Sequence, residues 1–106
     1  MGSFATARFD WEEGDARVRA AEPRRRAVLE QVMDATVAEL RRRLGGPFTL
    51  DELVALHREG TDWAQALAVA VAPDLPAAWE EQVTNAAFWR YAREAQDFAG
   101  GRRRGE

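Results

Sequence analysis

Phe48-Thr49-Leu50-Asp51-Glu52-Leu53-Val54-Ala55-Leu56-His57-Arg58-Glu59-Gly60-Thr61-Asp62-Trp63 is the stretch whose reading decides the fold. Thr49 and Glu52 stand three apart, as a capping box requires: the threonine oxygen takes a backbone N–H and the glutamate reaches back to the cap. Phe48 and Leu53 flank that box at the positions of a hydrophobic staple. The spacing predicts a helix to about Glu59, stopped at Gly60. Thr61 then opens another helix over 62–72, which Pro73 ends. This second segment, Trp63-Ala64-Gln65-Ala66-Leu67-Ala68-Val69-Ala70-Val71-Ala72, is apolar nearly all round, so it is expected at the centre of a bundle.

Upstream, Pro23 suits a first helical position and Gly45-Gly46 a left-handed exit. Between them Leu29, Val32, Met33, Thr36, Val37, Leu40 and Leu44 fall on one stripe at helical spacing. Downstream, Asp74-Leu75-Pro76 opens a last helix from Ala77 to about Ala99, expected to end at Gly100-Gly101. No segment reads as a strand. The expected fold is all-α: a small four-helix bundle over residues 23–99. Residues 1–22 form an aromatic N-terminal arm docked on it, with a short extra helix possible from the Asp10-Trp11-Glu12-Glu13 signal. Gly14 weakens that helix. Residues 100–106 are expected to be a disordered arginine tail.

Composition removes many chemistries. The chain has 106 residues, no cysteine, one histidine, and 15 basic residues that are all arginine. Without lysine there is no phosphate-binding loop of the usual kind and no Schiff base. Without cysteine there is no thiolate metal site, and one histidine cannot make a multi-histidine one. The single serine, Ser3, has no neighbour to activate it. No metal, no cofactor and no enzyme activity are therefore expected. The longest apolar run is far shorter than the roughly 20 residues a membrane helix needs, so no membrane role is expected. No signal peptide is legible, which makes the cytoplasm the default. Arginine and alanine usage points to a GC-rich bacterial genome.

The formal net charge of -3 hides a bipolar layout. Counted by segment, residues 1–22 carry -2, residues 23–46 carry +3, residues 47–99 carry -6 and residues 100–106 carry +2. The triplets Arg24-Arg25-Arg26 and Arg41-Arg42-Arg43 raise the alternative of a nucleic-acid-associated protein that does not read sequence. On that helix face, however, Gln31, Ala35 and Ala38 lie between the triplets, and a phosphate-tracking surface wants charge there. Arg24, Arg25 and Arg26 also oppose the dipole of a helix N-terminus. Glu22 and Glu30 can offset part of that cost; a cheaper solution is an earlier helix start or an acidic partner facing the triplet. Residues 48–72 have a helix–turn–helix outline, but the second helix has no basic side chain to reach a base edge.

The last helix holds the most informative residue. Trp79, Val83, Ala87, Tyr91, Ala95 and Phe98 make an inward stripe with Phe88 at its edge, leaving Trp89 among Gln82, Asn85, Ala86, Arg93 and Gln96. Either the arm covers Trp89 with Phe9 or Trp11, or Trp89 is an exposed anchor. A tryptophan beside an arginine is frequent at interaction hot spots. The expected function is a non-enzymatic protein–protein interaction or regulatory module, working with a protein partner or by self-association through Trp89, Arg93, Trp11 and Phe9. A weaker alternative is an enzyme using His57 and carboxylates. It would need an open polar pocket holding His57 beside a carboxylate.

Overall fold

The structure is a computed structural model. It describes the backbone of residues 3–45 and 48–105 and the side chains of residues 6–45 and 48–94. Five helices follow one another: α1 (Ser3–Ala20), α2 (Pro23–Leu44), α3 (Leu50–Arg58), α4 (Asp62–Val71) and α5 (Ala77–Gly105). The fold is all-α, and the described residues contain no strand.

The capping box forms: Thr49 Oγ1 accepts from the Glu52 N–H at 3.2 Å, and Glu52 Oε1 accepts from the Thr49 N–H at 2.6 Å. Phe48 stacks on Tyr91 of α5, with ring centroids 5.1 Å apart, and so fixes where the chain enters α3. Gly60 carries a φ of 108°, a conformation L side chains resist, and breaks α3 from α4. Helix α2 starts at Pro23 with Glu22 as its cap; the Glu22 carboxylate accepts from the Arg25 N–H at 2.7 Å. It ends on Gly45 at φ 69°. Its stripe Leu29, Val32, Met33, Thr36, Val37 and Leu40 is buried, and the Thr36 hydroxyl donates to the Val32 carbonyl at 2.9 Å.

Two arrangements differ from the sequence reading. First, the N-terminal segment is not an arm with a short helix but an 18-residue helix, and its largest interface is with α5. Trp11 and Val18 lie in the core, and Ala7 packs against it. Gly14 is what lets the helices close. A Cβ there would sit 2.7 Å from Asn85 Cβ and 2.7 Å from the Gln82 carbonyl oxygen.

Second, α4 is not central. Only its alanines Ala64 and Ala68 are buried, against α2 and α5, while Val69 is 52% exposed. The centre belongs to α5, which touches all four other helices. From Val83 to Phe88 every residue is buried, because α1 covers the face that an inward stripe alone leaves in water. The backbone of α5 is helical to Gly105, through Gly100-Gly101 and the arginines that the sequence reading placed in a disordered tail. Glycine permits a left-handed exit but does not compel one, and no proline follows to stop the helix.

Candidate functional site

Two places gather the chemistry-bearing side chains. The first is a groove between α1 and α5. Trp89 is half-buried there, with its inner edge packed on the core. The Arg8 guanidinium lies over its ring, 5.4 Å from the centroid. Arg8 is itself held by Glu12 at 2.7 Å. Phe9 stands at the margin of this groove, 77% exposed. With Trp89, Arg93 and Arg19 it borders a volume of about 530 Å³. An adjoining volume of about 300 Å³ runs along Asp15, Arg90 and Glu94.

Three of the four residues named from sequence, Phe9, Trp89 and Arg93, therefore meet on one face. Trp11 does not join them. Two residues after Phe9 on the helix, it turns inward and is fully buried against Phe88, with ring centroids 5.4 Å apart. The arm does cover part of Trp89, but with Arg8 rather than with Phe9 or Trp11. Most arginines around the groove are paired: Arg19 with Asp15 at 3.0 Å, and Arg90 with Asp34 at 3.0 Å and Glu30 at 3.6 Å. Arg93 has no ion-pair partner among the described residues.

The second place is an open polar cavity of about 450 Å³ enclosed by α3, α4 and α5. His57, Thr61, Gln65, Glu80, Glu81 and Asn85 line it. His57 Nε2 lies 3.2 Å from Asn85 Oδ1. An amide oxygen can only accept, so the neutral ring carries its proton on Nε2. The edges of Trp11 and Phe88 close on the imidazole at 5.5 Å and 4.8 Å. This burial pushes the His57 pKa below its ordinary value; the Asn85 bond and the charges of Asp10 and Glu81 oppose that shift in part. Gln65 donates to Glu80 at 3.0 Å, and the Thr84 hydroxyl donates to the Glu80 carbonyl at 2.9 Å.

Sequence reasoning placed His57 on α3 but did not connect it to Asn85. The connecting signal was α1 itself. Once Trp11 is core, Asn85 beneath Gly14 must be inside, and a buried amide needs a partner.

The arginine triplets line neither place. Arg41 forms two hydrogen bonds to Glu94, at 2.8 and 2.9 Å. Arg42 and Arg43 both close on Glu39. Arg43 also lies 4.6 Å from the Trp63 ring centroid. At the other end of α2, Arg26 donates to the Arg19 carbonyl at 3.3 Å, which serves the C-terminus of α1. Helix α2 starts at Pro23 and not earlier, and its Glu22 cap sets a carboxylate at that end, which offsets part of the unfavourable dipole.

Among the described residues no helix is long and apolar enough to cross a membrane. Comparison with protein-family models, with curated proteins and with solved structures found no match.

Proposed function

We propose that the protein is a non-enzymatic interaction module, set in the cytoplasm, whose docking face is the α1–α5 groove, and that a second copy of the chain occupies it. One observation carries this reading: Phe9 projects into water at 77% exposure beside the half-buried Trp89. Two large aromatics on one polar face cost free energy in the isolated chain and repay it when covered. A projecting side chain and a receiving groove on the same patch suit a two-fold interface, where each copy gives what the other takes. Asp10 follows Phe9 in sequence and has no ion pair among the described residues, so it would bring a carboxylate to the partner's Arg93.

A photo-reactive phenylalanine analogue at position 9, irradiated in the native host, tests the reading. A cross-link to a second copy at the Trp89 face supports it. A cross-link to a different protein keeps the interaction module and replaces the occupant. No cross-link to any protein overturns both.

The nucleic-acid alternative draws less support: Arg41, Arg42 and Arg43 already hold carboxylates they would have to give up to phosphate, and Arg24, Arg25 and Arg26 stand at the far end of α2 with the uncharged Gln31, Ala35 and Ala38 between. The enzyme alternative gains one specific observation, the open polar cavity at His57. Yet the hydrogen-bond partner of that ring is the Asn85 amide and not a carboxylate or a hydroxyl nucleophile. A general base needs its substrate proton within hydrogen-bond reach. The geometry favours holding a ligand over transforming one.

A further inference from the structure

The cavity between α3, α4 and α5 is separate from the docking groove, and nothing in the self-association reading uses it. Its volume of about 450 Å³ is that of a small-molecule site, typically about 300–1,000 Å³. Its chemistry is one-sided. On the outer faces of α1, α2 and α5, Glu12, Glu13, Asp15, Glu39 and Glu94 each have an arginine within ion-pair distance. Glu80 and Glu81 have none among the described residues, and no lysine or arginine lines the cavity. Glu80 has only the neutral Gln65 amide.

The remaining walls add acceptors. With its Nε2 proton given to Asn85, the neutral imidazole keeps a lone pair on Nδ1; the hydroxyls of Thr61 and Thr84 and the carbonyl of Gln65 can also accept. Asn85 is only 6% exposed, so the His57–Asn85 pair is a fixed part of the wall. A pocket of anionic and neutral acceptors without a resident cation matches an alkylammonium, which has three donors and no acceptor. The chain has no lysine of its own to fill it.

We propose that this cavity is a binding site for a primary alkylammonium group, held by Glu80 and Glu81 with the His57–Asn85 pair as its neutral floor. The charged groups acting on His57 are Asp10 from α1 and Glu81 from α5; its other neighbours are Trp11, Phe88 and Asn85. Protonating His57 puts a like charge against the ammonium, so binding strengthens as the imidazole loses its proton. The ammonium can come from a free amine or from a lysine side chain of a peptide, which share this chemistry.

Because the chain has one histidine, its ring protons report the site without assignment. The full-length protein is titrated with n-butylamine and with Nα-acetyl-lysine N-methylamide while the His57 ring protons are followed by NMR; n-butanol is the uncharged control. The expected result is a saturable shift with an ammonium probe and none with n-butanol. Affinity should rise with pH through the lowered pKa of His57 and level off above about pH 6.5. Glu81→Gln should weaken binding about tenfold or more, as loss of a charge-assisted bond does. Glu81 is exposed, so this variant keeps its fold, which its far-ultraviolet circular dichroism checks. Saturation by the lysine probe alone assigns the site to a peptide side chain; saturation by both assigns it to free amines as well. No saturable shift with either probe at about 50 mM, beyond even millimolar sites, overturns the proposal. An equal response to n-butanol, or unchanged affinity in Glu81→Gln, also overturns it.

Discussion

Gly14 shows how a single missing side chain sets the architecture. In isolation a glycine inside a helix costs about 1 kcal/mol relative to alanine. Here α5 passes so close that a Cβ would meet both a side chain and the backbone carbonyl of Gln82, and backbone cannot swing aside. Gly14→Ala is therefore expected to lower stability by about 1–2 kcal/mol despite its better helix propensity, since overpacking costs about 1–3 kcal/mol. A urea melt measures the sign directly. Trp11→Ala, at a fully buried position, should cost about 3–5 kcal/mol. Asn85 makes the His57 contact from the same crossing, and that contact gives a pH dependence. Burial holds the folded-state pKa of His57 below its ordinary 6.5, so the folded protein favours the neutral ring. As pH falls, the unfolded chain takes up its proton first. The contribution is complete above about pH 6.5, is lost as pH falls from there through the folded pKa, and then levels off. His57→Gln should flatten that part of a plot of urea midpoint against pH.

At the scale of elements, capping and periodicity wrote α2, α3 and the start of α4 plainly into the sequence. Thr49→Ala should remove the capping box and cost about 1 kcal/mol, read as a drop in melting temperature. Helix α1 was harder to read, because Gly14 and the charges around it blur the pattern. Its signal was present in the 4-3-4 spacing of Ala7, Trp11, Gly14 and Val18, in which a glycine marks close approach rather than a break. The misplacing of α4 has a different cause. Alanine counts as apolar in any periodicity, yet a helix of small side chains buries little area and needs only one face covered. Deleting residues 1–21 should expose the second face of α5 and abolish cooperative unfolding, whereas Val69→Ser on the outer side of α4 should leave the melt within about 0.5 kcal/mol. The candidate site was legible in part. Phe9, Trp89 and Arg93 were recognisable by residue type, but their meeting depended on a helix that the pattern only half revealed. The His57 cavity required three helices to be placed first.

Over the whole molecule the bipolar charge resolves into local pairs. Arg41, Arg42 and Arg43 of α2 hold glutamates on α2 and α5, and α1 carries its own i,i+4 pairs. Each of these pairs has an arginine reaching into solvent, so salt should move the melting temperature little. What the charges leave uncovered is the aromatic face of α1 and α5. The most direct measurement of its role is sedimentation equilibrium across a concentration series, for the wild-type chain and for Phe9→Ser. The prediction is a concentration-dependent dimer in the wild type that Phe9→Ser converts to a monomer with an unchanged melting temperature. A wild-type chain that stays monomeric throughout, or a dimer that Phe9→Ser leaves intact, would contradict it.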